Sequence, residues 1–168
     1  YLGDGHDEAH IKEINDTMRR YLADGVFDEY KNAMICTERT QPDGRVRRGI
    51  VGAFALAEYS YEPGAKSLIR PTEGTVLSRI PPRVAIRRDA PLELPHIMVF
   101  MDDRRREIIE GIDTSRLSKL YDFELMLGGG HLRGWLIDEA EQQRILAALS
   151  ELENESGTDG DRLLFAVG

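Results

Sequence analysis

Residues 32–59 read Asn-Ala-Met-Ile-Cys-Thr-Glu-Arg-Thr, then Gln-Pro-Asp-Gly, then Arg-Val-Arg-Arg-Gly-Ile-Val-Gly-Ala-Phe-Ala-Leu-Ala-Glu-Tyr. Two runs rich in apolar and β-branched residues flank a four-residue turn signal, Gln41 to Gly44. Proline presets the turn, and Asp-Gly accepts the conformations that other residues resist. The pattern predicts an antiparallel hairpin with arms Asn32–Thr40 and Val46–Tyr59. The apolar run Ile50–Ala57 predicts that the second arm lies deep in a sheet. Cys36, on the first arm, reads as a small core residue and not as a nucleophile, since no histidine is near it in sequence.

Working outward, Asp7–Asp24 has Ile11, Ile14, Met18, Tyr21 and Leu22 at helical spacing, with Gly25 as a stop. His6, just before that helix, and His10 are four apart, a spacing that can share a face, but no third or fourth metal ligand accompanies them, so solvated histidines are the favoured reading. Downstream, Lys66–Arg70 reads as a short strand and Val76–Ile80 as one helical turn. Pro81 or Pro82 then starts a helix that runs to about Asp89. His96–Met101 reads as a buried strand that ends in Asp102-Asp103, an acidic pair suited to capping and less so to a cation. Arg104–Tyr121 reads as mostly helical, with Ile108, Ile109, Ile112, Leu117 and Leu120 inward and Asp113 or Thr114 capping a second piece. Asp122–Leu127 and His131–Ile137 read as strands joined across Gly128-Gly129-Gly130. Glu139–Leu152 reads as a helix with Ile145, Leu146, Leu149 and Leu152 inward, then Asn154–Asp161 as a polar loop and Leu163–Val167 as a last strand. Hairpins mixed with helices give an α/β (α+β) class: a mixed sheet flanked by helices, in a single domain over residues 1–168.

Composition narrows the function classes. The 168 residues carry 22 Lys+Arg against 30 Asp+Glu, a net charge of −8, which argues against a nucleic-acid coat protein. A single cysteine excludes an intrachain disulfide and fits a reducing, cytoplasmic setting. No apolar run reaches the length of a membrane span, and no signal peptide is visible. The start at Tyr1 and the stop just after an apolar run lead us to expect a piece of a longer chain.

Positive charge is concentrated in one place. From Lys66 to Arg106 the balance is +4, against −12 for the other residues. Within Lys66–Arg88, Arg70, Arg79 and Arg83 offer guanidinium forks for a phosphate or carboxylate. Thr72 and Thr75 offer hydroxyls, and Glu73 is a candidate base. The competing reading is a solvated surface of salt bridges. The triplet Gly128, Gly129 and Gly130 could cradle an anion through backbone amides. It lacks the spacing of known phosphate loops, so a hairpin turn is favoured. His131, beside it, is a candidate proton shuttle. No zinc pattern, Ser-His-Asp order or His-Glu-x-x-His helix is present, so no metal ligands are assigned.

Several of these stretches also carry a family resemblance. They are Thr72-Glu73-Gly74-Thr75 with Arg79 and Arg83, Leu94–Val99, Tyr121–Glu124 with Gly128–His131, and Leu163–Gly168. Together they resemble a bacterial and archaeal family known only as domain of unknown function 1015. The resemblance implies further segments before Tyr1 and after Gly168, the latter opening with an Asp-Gly-Asn-His or Asp-Gly-His-His motif. That motif is similar to one in the ParB and sulfiredoxin-like superfamily, whose members include nucleotide-binding partition proteins, sulfiredoxins and a free-serine kinase. The resemblance therefore implies a nucleotide or phosphate ligand, with ATP and magnesium as the cofactor to test. It would make kinase-like transfer the reaction, with Glu73 as acid or base and Arg79, Arg83 and Arg70 on the anion. The alternative is a non-catalytic module that self-associates, its basic zone against an acidic face of another copy. Contact with DNA by analogy with partition proteins is the weakest option, given the net charge.

Overall fold

The computed structural model describes residues 8–55, 57, 59–62, 64–65, 67–74, 76–94, 96–158 and 165–167. Its elements are α1 (Glu8–Ala23), β1 (Met34–Thr40), β2 (Val46–Val51), β3 (Ile69–Pro71), α2 (Ile80–Arg87), β4 (Val99–Met101), β5 (Ser118–Glu124), β6 (His131–Ile137), α3 (Glu139–Thr158) and β7 (Phe165–Val167). The strands form a four-stranded sheet in the order β2-β1-β6-β5 and a three-stranded sheet in the order β3-β7-β4. This is the α+β class the sequence predicts. The chain falls into two compact units, one within Tyr1–Tyr30, Pro71–Val99 and Val167–Gly168, the other within Lys31–Arg70 and Phe100–Ala166.

In the second unit every pairing of the larger sheet is antiparallel. Side chains alternate between its faces, so strand register decides what shares a face. One row on the inner face is Ile50–Cys36–Trp135, read across β2, β1 and β6. With Ile137, it meets Ile145 and Leu152 of α3, and Ile108 and Ile112 close the cluster. The Asp138 carboxylate starts α3 by accepting the Glu141 N–H at 2.8 Å. Burial pushes the Cys36 thiol up, as befits a core residue. On the opposite face the Tyr121 ring lies over Gly134. A Cβ at Gly134 would come within 2.1 Å of that ring, so only glycine fits.

Five expectations need correction. The second hairpin arm ends at Val51, and β2 is an edge strand, not a deep one. Beyond Gly52 the run is mostly alanine, apolar but a weak strand former, and Phe54 is exposed. The predicted buried strand His96–Met101 is only Val99–Met101, and Ile97, Met98 and Phe100 are exposed. Its continuous apolar character marks composition and not depth. Leu146 faces outward, at 43% exposure, although Ile145 and Leu152 are buried as expected. α3 also runs on through residues taken as a polar loop, to Thr158.

The largest correction concerns residues 104–121, which are not a helix. They form turns, a short 3-10 segment at Thr114–Arg116 and the start of β5. Ile108 and Ile112 are buried all the same. The Asp103 carboxylate accepts the Ile108 N–H at 2.9 Å, and Arg144 on α3 donates to the carbonyls of Glu107 and Ile108 at 2.7 and 3.1 Å. Side chains thus take up backbone groups that a helix would satisfy within itself. Asp113 caps the 3-10 segment through the Ser115 N–H, as expected.

Among the described residues no helix is long and apolar enough to cross a membrane.

Candidate functional site

The first unit holds the basic segment. A 3-10 turn at Leu77–Arg79 runs into α2, whose first turn contains Pro81 and Pro82. Proline suits that position because its fixed φ matches a helix and its missing N–H is not needed there. Ile80, Arg83, Val84, Arg87 and Arg88 follow at i, i+3, i+4, i+7 and i+8, which places them on one face. They line an open groove of about 420 Å³. Its apolar side chains, Ile80 and Val84, are 39% and 46% exposed. Arg87 Nε donates to Glu93 at 2.9 Å. Arg83 and Arg88 make no ion pair among the described residues. α1 steadies the end of α2: Arg19, paired with Asp16, donates to the Asp89 carbonyl at 3.2 Å.

Sequence reading puts Arg83 and Arg87 four apart on one face of this helix and names Arg83 for an anion; the structure lines the same groove with Arg88, Ile80 and Val84, which that reading does not group with them. Helical spacing was the signal that could have grouped them. Arg79 is exposed in the turn, one helical turn before Arg83. Glu73 is exposed in a bend and has no partner among the described residues. Thr75 lies outside the described residues. Arg70 belongs to the other unit, on β3, where its Nε donates to the Ser67 carbonyl at 2.6 Å.

The second unit holds His131 and the glycine triplet. The triplet closes the β5–β6 hairpin, with the Leu125 N–H donating to the Gly130 carbonyl at 2.7 Å. Gly130 has φ +93°, and a Cβ there would sit 2.1 Å from the Thr40 carbonyl oxygen, so the turn alone accounts for that glycine. Arg39 donates to the Gly129 carbonyl at 2.9 Å. His131 opens β6 with both ring nitrogens engaged, Nδ1 with Glu124 at 2.7 Å and Nε2 with Asp122. Glu124 first, and then Asp122, raise its pKa by bonding the charged form. Asp122 is held down at about 2, chiefly by Lys119 and then by His131. A ring tied at both nitrogens is a cross-strand clamp, with no free nitrogen to offer a substrate.

Beside it runs an ionic row that sequence reading did not find. Arg48, Glu38, Arg133 and Asp122 are in register across β2, β1, β6 and β5. Glu38 is 7% exposed and accepts from Arg48 Nε at 2.8 Å and from Arg133 at 2.6 Å. This row continues the face that Cys36 and Trp135 begin, so the inner face changes from apolar to ionic within one pleat. Among the described residues no group of three or more His, Cys, Asp or Glu could hold a metal. His10 pairs with Glu13 at 3.7 Å, and His6 lies outside the described residues.

A model of the family described as "Protein of unknown function (DUF1015)" matches residues 1–160. The chain belongs to the DUF1015 family. No curated protein matches it. No solved structure matches it either. For a DUF1015 chain the family gives the lineage and no activity. The chemistry therefore rests on two places: an arginine face with unpaired cations, and an ionic sheet end whose charges answer one another.

Proposed function

We propose that this chain binds a small molecule that carries a phosphate group, through the arginine face of α2. One observation carries this reading. Three guanidinium groups, Arg83, Arg87 and Arg88, border one groove, and two of them have no acidic partner among the described residues. Guanidinium forks match phosphate oxygens in pairs, and exposed cations left unpaired in a chain of net charge −8 favour an anion from outside. Arg79 extends the cationic edge by one helical turn. Binding is the part of the reading that the geometry supports. Phosphoryl transfer would ask Glu73 to act as base, and a nucleotide with magnesium would be the cofactor.

Calorimetric titration with inorganic phosphate, AMP and ATP, with and without magnesium, tests the proposal. Binding that Arg83→Gln and Arg88→Gln each weaken severalfold is the expected result, and no heat with any of the three defeats it. The same basic face would also suit an acidic surface of a second copy. Light scattering at low and high salt separates that outcome, because a salt-sensitive dimer would replace ligand binding as the explanation.

A further inference from the structure

The groove contains more than cations, and its other features specify its ligand. Ile80 and Val84 lie between the guanidinium groups, both substantially exposed. A free phosphate has no use for two aliphatic side chains, whereas an anion joined to an apolar body covers them and gains from the apolar surface removed from water. The groove also has an internal occupant for one of its cations. After α2 the chain turns back through Pro91, and Glu93 places its carboxylate on Arg87 Nε at 2.9 Å. That carboxylate stands where a ligand oxygen would stand. The pair is exposed on both sides, 48% and 54%, and an exposed pair of this kind exchanges readily with a competing anion.

We infer that the α2 groove takes a phosphate joined to a flat or aliphatic apolar body, such as a nucleoside monophosphate, and that Glu93 is a tethered competitor which limits its affinity. The inference rests on the phosphate-binding reading above and narrows it. Arg83 and Arg88 make first contact with the anion, the apolar body settles on Ile80 and Val84, and Arg87 joins only when Glu93 gives way. The groove is thus tuned to be weaker than its three arginines would allow.

The test compares AMP with inorganic phosphate on the whole chain and two exposed variants, Glu93→Gln and Val84→Ser. Removing the competitor should tighten AMP roughly two- to fivefold, the range that an exposed ion pair corresponds to. Val84→Ser should weaken AMP about threefold or more and leave inorganic phosphate unchanged, since only the apolar body loses a contact. Far-ultraviolet circular dichroism confirms that both variants fold. If Arg83→Gln abolishes AMP binding while Glu93→Gln leaves it unchanged, the tethered competitor is refuted and the phosphate site stands. If Val84→Ser affects phosphate and AMP equally, the apolar body is refuted. If the wild-type chain binds neither probe, both readings fall together.

Discussion

The inner face of the four-stranded sheet and the outer face of α2 are both rich in arginine, yet they treat charge in opposite ways. At the sheet end Arg48 and Arg133 converge on one nearly buried carboxylate, and His131 is held between two more. On α2 Arg83 and Arg88 have no acidic partner among the described residues, and Arg87 has only the exposed Glu93. A charge answered within the chain serves the fold. A charge left open faces a ligand. Arginine content alone therefore does not mark a site; the partner count around each arginine does.

The strongest way to break this contrast is to remove the answering charge at the sheet end. Glu38→Ala leaves two arginines facing each other beside the core. It should cost roughly 2–4 kcal/mol in urea unfolding, below the top of the range for a buried pair because both arginines are partly exposed. A loss under about 0.5 kcal/mol would show that the row is a surface feature like that on α2. Next in size is Gly134→Ala, which drives a methyl group into the Tyr121 ring on the opposite face and should cost about 1–3 kcal/mol.

A smaller effect should come from pH. His131 has a raised pKa in the folded chain, so its contribution is fully present below the unfolded value near 6.5 and is lost as pH rises through the folded value. Asp122 behaves oppositely: its contribution is present above 3.8 and fades as pH falls toward about 2. An NMR titration should therefore give His131 a midpoint above 6.5, and His131→Gln should flatten the dependence of Tm on pH above 6.5. The smallest effect on stability belongs to α2. Arg83→Gln combined with Arg88→Gln should change stability by under about 0.5 kcal/mol while reducing anion binding, because no interaction among the described residues is lost. A large loss of stability there would mean that these arginines hold the fold together after all.

Local signals made much of this legible. Helix periodicity gives α1 to within a residue at each end and the start of α3, the glycine triplet gives the β5–β6 hairpin, and prolines give the start of α2. What failed depended on distant partners. Ile108, Ile109, Ile112, Leu117 and Leu120 keep helical spacing, but the carbonyls there are claimed by Arg144, 36 and 37 residues away. The sheet row was invisible for the same reason, since Glu38 and Arg133 become neighbours only through strand register. Of the candidate site, Arg79, Arg83 and His131 stood out as charges. Which charges were already spent could be seen only once the chain was folded.

Arg144 has a further consequence for the order of events in folding. It supplies donors to Glu107 and Ile108 only when α3 is in place on the sheet. Before then those carbonyls are answered by water, and residues 104–112 keep only the Asp103–Ile108 bond and two backbone turn bonds to hold their turns. The segment and the helix should therefore open and close as one cooperative piece, joined by that guanidinium group and by the packing of Ile108 and Ile112 in one core with Ile145 and Leu152.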